Sequence, residues 1–145
     1  MRVAVLNGPN LNLLGIREPA VYGTASLADL ERDVRATAAA LGVELSWMQT
    51  NHEGALVEAV QALRGTADGA LVNPAGLTHT SVALRDAFLA VAVPFVEVHL
   101  SNIHAREEFR RRSLLADLAV GVVAGFGPAG YRFALEGLVA HLRGG

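Results

Sequence analysis

A glutamate and a histidine stand two residues apart in a short apolar run that predicts a β-strand. The run is Phe95–Leu100, and because side chains alternate across a strand, Glu97 and His99 share one face. A carboxylate beside an imidazole favours the protonated ring, so the pair could supply a general acid near neutral pH. The same pattern also fits a structural ion pair at a strand end, and the residues alone leave both interpretations open.

A second set of reactive side chains lies in the irregular stretch between Asn7 and Thr24, which contains Arg17 and Tyr22. Loops of this length inside a compact domain are usually functional. Tyrosine is a poor base at its ordinary pKa of about 10, but an arginine beside it could lower that pKa. Sequence spacing alone does not bring the two side chains together, so a core or surface role for Tyr22 is the simpler interpretation of the tyrosine by itself.

The segment Asn73–His79 also follows a predicted strand and leads towards a helix cap at Ser81. Pro74 and Gly76 predict a rigid turn, and the first backbone N–H groups of the following helix could receive a carboxylate. His79 could instead cap the turn or bond to a backbone carbonyl, which is the commoner role of a lone loop histidine.

The stretch Gly125–Gly130 matches the dinucleotide-binding pattern G-x-G-x-x-G. Pro128 removes a backbone donor where a phosphate would need one. The stretch follows the last predicted strand, so no acidic residue on a later strand is available for a ribose. We therefore interpret it as a turn and a helix start.

The elements that must position these residues alternate between apolar runs and helical patterns. The predicted strands are Val3–Leu6, Val43–Met48, Gly69–Val72, Pro94–Leu100 and Leu118–Val123. The predicted helices run from a cap at Ser26 to Leu41, from 55 to 63, from a cap at Ser81 to Val91, briefly after Ala105, and from Pro128 to Leu142. This alternation predicts a single α/β domain with a five-stranded, doubly wound, flavodoxin-like parallel sheet of order 2-1-3-4-5.

Such a sheet binds ligands beyond the carboxyl ends of its strands, where the strand order reverses. For this order the reversal lies between strands 1 and 3. Polar residues follow the strands there: Asn7, Asn10, Arg17 and Tyr22 after strand 1, Asn73, Thr78 and His79 after strand 3, and Glu97, His99, Ser101 and Asn102 at strand 4. The topology by itself predicts one polar cleft.

Composition narrows the class of protein. Hydrophobic residues make up 52% of the 145-residue chain and charged residues 18%, and the mean hydropathy is +0.35. No apolar run is long enough to cross a bilayer, so we expect the apolar excess to form interfaces of a homo-oligomer. The net charge of −2 argues against nucleic acid as a partner.

Several chemistries are excluded by residue type. The chain has no cysteine and its basic residues are all arginine, which excludes thiol nucleophiles and lysine Schiff bases. The five histidines lack the H-E-x-x-H spacing, so we expect no metal. The apolar stretch at the N-terminus is too short for a signal peptide, and we expect cytoplasmic residence.

Taken together, the motifs resemble those of the type II 3-dehydroquinate dehydratases of the shikimate and quinate pathways. The resemblance runs nearly end to end, and its segments are 7–15, 17–19, 21–23, 51–54, 78–81, 84–86, 97–104, 106–110 and 130–131. Small departures include Arg111-Arg112, where this family often has two histidines.

The resemblance implies a lyase that eliminates water from 3-dehydroquinate in the anti sense, through an enolate and without a cofactor. It implies that Tyr22 is the base, that Arg17 lowers the pKa of this tyrosine and holds a lid loop at about 15–25, and that Asn10 helps to stabilise the enolate. It implies that His99 protonates the leaving hydroxyl and that Glu97 orients His99.

The resemblance also implies which residues bind the substrate and how the subunits assemble. The family forms trimers arranged as a dodecamer, and Asp86 matches a residue that reaches a neighbouring subunit's site. The remaining substrate-binding positions are Asn73, His79, Leu100, Ser101, Arg106 and Arg110.

Two alternatives to the lyase stay open from the sequence. One is a flavodoxin-like nucleotide- or flavin-binding module, which depends on fold analogy and on the Gly125–Gly130 match. The other is a non-catalytic oligomeric scaffold, which would tolerate loss of Arg17, Tyr22 and His99.

Overall fold

A five-stranded parallel sheet forms the centre of the protein. A computed structural model describes residues 1–16, 20 and 24–145 of the chain. The strands are β1 (Arg2–Asn7), β2 (Glu44–Gln49), β3 (Gly69–Asn73), β4 (Phe95–His99) and β5 (Gly121–Ala124). Their order is β2-β1-β3-β4-β5, and every neighbouring pair is parallel. The predicted fold class and strand order are confirmed.

Among the described residues, three α-helices lie between strands, α1 (Leu27–Leu41), α2 (Glu53–Gln61) and α3 (Val82–Val91), and a fourth, α4 (Ala129–Leu142), follows β5. The caps lie where the sequence predicts them. The Ser26 side chain accepts a hydrogen bond from the Asp29 amide in a capping box, and Gly42 ends α1 in the left-handed conformation. The Ser81 hydroxyl accepts from the Leu84 amide and starts α3.

The two faces of the sheet carry separate apolar cores. Helices α1 and α4 cover one face, with residues such as Leu30, Val34 and Leu135 packed on the sheet. Helices α2 and α3 cover the other face, where Leu56, Val60, Leu84 and Phe88 are buried. Because each buried side chain of this size contributes about 1.5–3 kcal/mol, both faces hold the strands rigidly, and the strand ends can fix side chains that point out of the sheet.

No helix in the described part of the chain is long and apolar enough to cross a membrane.

The predicted helix after Ala105 is wrong. The structure has two short 3-10 turns there, Ile103–Ala105 and Glu108–Arg111. Arg106 is extended and separates them (φ −107, ψ −160), and Phe109 between the flanking charges is exposed, so no continuous apolar face could hold a longer helix against the core. Strand β5 also begins later than predicted, at Gly121, because Leu118 is held in a turn by a bond from its amide to the Leu115 carbonyl.

Candidate active site

A pocket opens at the carboxyl ends of β1, β3 and β4, where the strand order reverses. Most of the predicted site residues line it, and they reach it from the strand ends and from the 3-10 turns after β3 and β4. The lining residues are Pro9, Asn10, Leu11, Leu14, Asn73, Ala75, Gly76, His79, His99, Leu100, Ser101, Ile103, Arg106 and Arg110. The position follows from the doubly wound topology.

The pair predicted on β4 is formed and is buried. The His99 Nε2 atom lies 2.7 Å from Glu97 Oε2, with Glu97 fully buried and His99 only 5% exposed. The carboxylate oxygen accepts, so Nε2 is the nitrogen that donates. Only His99 of the two lines the pocket, and Glu97 therefore acts on the pocket through the imidazole.

The backbone after β1 is held in an unusual conformation. Asn10 is left-handed, with φ +70, and its amide donates to the Asn51 side-chain oxygen at 2.9 Å. Two residues earlier, the Gly8 backbone packs closely against the Pro74 backbone. A Cβ at Gly8 would lie 2.5 Å from the Pro74 carbonyl oxygen. Only glycine fits this contact, and Gly8 and Asn51 together set the position of Asn10 at the pocket.

A buried hydrogen-bond chain fixes Asn73 at the end of β3. The Asn73 side-chain nitrogen donates to the Tyr131 hydroxyl at 2.9 Å, and that hydroxyl donates to the Asn7 side-chain oxygen at 2.7 Å. The Asn73 side-chain oxygen accepts from the Ala75 amide. Burial raises the pKa of Tyr131, which keeps its hydroxyl protonated as a donor.

His79 is half-buried and has a defined tautomer. Its Nδ1 atom lies 2.7 Å from the Arg112 carbonyl oxygen, and a carbonyl only accepts, so Nδ1 carries the hydrogen. Burial lowers the pKa of His79, with smaller effects from the Arg112 carbonyl and from the charges of His99 and Arg110. A neutral ring of this tautomer presents Nε2 as a hydrogen-bond acceptor.

The wall formed by the 3-10 turns after β4 is cationic. Arg106 Nη1 lies 3.5 Å from the Ser101 hydroxyl, and Arg110 Nε donates to Glu107 at 3.1 Å. Glu107 also lies 3.9 Å from Arg106 Nε. A bond from its own backbone and one from Arg110 lower the pKa of Glu107. Both arginines line the pocket, which suits an anionic ligand.

Two of the predicted site residues that the structure describes do not line the pocket, and one of them, Glu97, contacts it only through His99. Asp86 lies on the exposed face of α3 and does not line the pocket. Arg17 and Tyr22 lie outside the described residues, and most of the predicted lid falls there as well.

The sequence prediction missed the residues that support the site from behind. Tyr131 joins Asn7 to Asn73 across 124 and 58 residues of sequence. Ser113 donates to Glu97 Oε1 at 2.5 Å, and no spacing rule relates a residue in an irregular segment to a strand. Two signals were available: the family resemblance at 130–131, and the polarity of Asn7 within a buried strand end, since a buried amide requires partners.

The glycine-rich stretch forms the turn that the sequence predicts. Gly125 and Gly127 have positive φ, the Gly127 amide donates to the Leu100 carbonyl, and α4 begins at Ala129. Within residues 1–16, 20 and 24–145, no three His, Cys, Asp or Glu side chains are grouped so that they could hold a metal ion.

These features define a class of protein: a doubly wound α/β enzyme with a buried carboxylate–imidazole pair whose histidine lines a pocket that also contains two arginines. The arrangement can protonate a leaving group on a small anionic substrate.

Comparison with known proteins identifies the family. The family model described as "Dehydroquinase class II" matches residues 1–139. The chain is 59% identical over 144 residues to the 3-dehydroquinate dehydratase of Synechococcus sp. (strain WH7803), covering 99% of this chain and 98% of that protein. It superposes with a TM-score of 0.93 and 38% identity on the type II dehydroquinase of Butyrivibrio crossotus DSM 2876, covering 95% and 97% of the two chains. The type II dehydroquinase of Propionibacterium acnes superposes with a TM-score of 0.92 and 37% sequence identity, with 96% of each chain covered. The chain belongs to the class II dehydroquinase family.

Proposed function

We propose that the pocket binds 3-dehydroquinate and that its side chains remove water from it by acid–base chemistry. Family membership makes the chain a lyase, a 3-dehydroquinate dehydratase, whose product 3-dehydroshikimate belongs to the shikimate pathway. The observation that carries the assignment of roles is the Glu97–His99 pair, which is buried and opens onto the pocket through the histidine alone.

His99 is the acid in this proposal. Because Nε2 is engaged by Glu97, Nδ1 is the nitrogen that can serve the leaving hydroxyl. Protonated His99 donates this proton as the carbon–oxygen bond breaks, and the Glu97 carboxylate stabilises the charged ring. The leaving group departs as water, and Glu97 is a positioning residue because it does not reach the pocket.

Tyr22 is the base in this proposal, and the charge of Arg17 favours its tyrosinate form. The described residues on either side of this segment support the proposal. A Cβ at Gly15 would lie 2.9 Å from the Thr24 carbonyl oxygen, so the chain leaves and returns at one place, and Leu14 just before it lines the pocket. We assign residues 15–25 as a lid over the pocket.

The remaining pocket residues bind the substrate and the enolate. Asn10, fixed in its left-handed conformation, stabilises the enolate through a bound water. The backbone N–H groups of Leu100 and Ser101 hold the substrate carboxylate, with Arg106 beside them. The hydroxyl groups of the substrate meet Asn73, His79 and Arg110.

We also propose a dodecamer built from trimers, in which Asp86 of one subunit reaches the site of another. Exposed apolar side chains in the described part of the chain support this, among them Val82 and Leu89 on the same helix, α3. Light scattering should then give the mass of twelve 15.2 kDa subunits, whereas a monomer would refute the proposal. We place the enzyme in the cytoplasm.

The nucleotide-binding alternative is not favoured. The family match covers the chain, and Pro128, which has no N–H, stands directly before α4, where a phosphate would need a donor.

The test is to mix the purified, chelator-treated enzyme with 3-dehydroquinate and to follow the ultraviolet absorbance of the conjugated enone product. We expect an absorbance rise that survives the chelator and is lost in Tyr22→Phe and in His99→Ala. An undiminished rate in either folded variant would remove that residue from its role. If the folded wild-type protein gave no absorbance rise, the proposed activity would be refuted, and the non-catalytic scaffold would be the better interpretation.

A further inference from the structure

The segment 112–116, which follows the cationic wall, contacts His79 directly and contacts Glu97, the partner of His99. The Arg112 carbonyl accepts from His79 Nδ1 at 2.7 Å. The Ser113 hydroxyl lies 2.5 Å from Glu97 Oε1. The segment is itself tied to the 3-10 turn after β3, because the Leu114 amide donates to the Thr78 carbonyl at 2.9 Å.

The direction of the Ser113 hydrogen bond is determined by its neighbours. The Ser113 oxygen accepts from the backbone amides of Leu115 and Ala116, each at 3.1 Å. A serine hydroxyl has two lone pairs and one hydrogen. Both lone pairs are occupied, and the hydrogen points at Glu97. The serine is therefore an oriented donor to the carboxylate.

We propose that Ser113 is a positioning residue that acts on catalysis through Glu97 and His99. Ser113 does not line the pocket and cannot touch the substrate. With Ser113 on Oε1 and His99 on Oε2, each oxygen of the buried carboxylate has one donor, and the carboxylate is fixed against rotation. This proposal rests on the role of His99 as the acid.

Removal of the hydroxyl leaves a buried carboxylate oxygen without its donor. The carboxylate can then turn, and it holds the protonated imidazole less well. If the transition state loses one charge-assisted hydrogen bond, the rate of the chemical step falls roughly 10- to 100-fold. The fall should appear in kcat, because His99 acts when the carbon–oxygen bond breaks, and KM should stay within about twofold.

The experiment compares Ser113→Ala and Ser113→Thr with the wild type, by kcat and KM for 3-dehydroquinate and by unfolding in denaturant. Threonine keeps the hydroxyl and should recover most of kcat. Ser81→Ala is the matched control, since Ser81 also accepts from a backbone amide but contacts neither Glu97 nor the pocket, and it should lose stability with kcat unchanged. If Ser113→Ala does not fold, Ser113→Cys replaces the strong donor by a weak one, and an intermediate kcat is expected.

The effect must also depend on His99. In a His99→Ala enzyme, adding Ser113→Ala should lower the residual kcat no further, because the group through which Ser113 acts is gone. An unchanged kcat in Ser113→Ala or Ser113→Cys would overturn the proposal, as would an equal further loss in the His99→Ala background. If His99→Ala itself kept full activity, the assignment of the acid would fail instead, which distinguishes the two failures.

Discussion

Replacing Glu97 by glutamine tests the carboxylate–imidazole pair while keeping its shape. Glu97 is fully buried, and its Oε2 lies 2.7 Å from His99 Nε2. The substitution converts a charge-assisted hydrogen bond, which contributes about 1.5–3 kcal/mol, into a weaker neutral one. Since each 1.36 kcal/mol is about tenfold in rate, we expect kcat to fall roughly 10- to 100-fold. KM should change little, because Glu97 does not line the pocket.

The assay is the initial rate of enone formation over a range of 3-dehydroquinate concentrations. The matched control is Glu58→Gln, the same chemical change at an exposed position on α2, a helix that contributes no residue to the pocket. A Glu97→Gln enzyme with the kcat of the control would refute the role of the pair. A rise in KM with constant kcat would instead mean that Glu97 supports binding and not proton transfer.

Further predictions concern the supports around the pocket. Tyr131→Phe should cost about 1–3 kcal/mol of unfolding free energy and raise KM, because the amides of Asn7 and Asn73 lose their shared partner. Ser81→Ala should cost about 1 kcal/mol through loss of the α3 cap. Both are measured by denaturant unfolding. Burial lowers the pKa of His79 from 6.5, so the unfolded chain binds its proton first, and the stability that neutral His79 contributes is lost as the pH falls below 6.5. The difference in unfolding free energy between wild type and His79→Asn should therefore shrink from the neutral to the acid side of that value.

Each of these has a clear contrary result. An unchanged KM in Tyr131→Phe would separate the buried hydrogen-bond chain from substrate binding. Full stability of Ser81→Ala would mean that water replaces the cap without loss. A His79→Asn difference that is constant with pH would show that His79 titrates alike in the folded and unfolded chains.

The fold could be predicted where local pattern and tertiary structure agree. The buried strands of a parallel sheet are short apolar runs, and the helices carry their own start signals, as Ser26 and Ser81 show. The region after β4 could not be predicted in the same way. Its turns around Arg106 are held by tertiary contacts and caps, and a run of charged residues resembles an exposed helix.

The residues that line the pocket could be placed from topology, since they follow the strand ends at the reversal of strand order. The residues that hold these pocket residues in place could not be predicted in this way. Ser113 reaches Glu97 from an irregular segment, and Tyr131 reaches Asn7 from the last helix. Such contacts depend on how distant elements pack, and no periodicity in the sequence records them.

The proposed roles of Tyr22 as the base and His99 as the acid are tested most directly by hydrogen exchange in D2O. The enolate forms when the base removes the proton from the carbon that lies between the ketone and the carbon bearing the leaving hydroxyl. Without the acid, the enolate should return to substrate and pick up deuterium. We predict that His99→Ala still exchanges this proton into 3-dehydroquinate, as followed by NMR, while it forms almost no product, and that Tyr22→Phe does neither. A folded His99→Ala enzyme that forms product at the wild-type rate would contradict the assignment, as would one in which exchange is abolished together with dehydration.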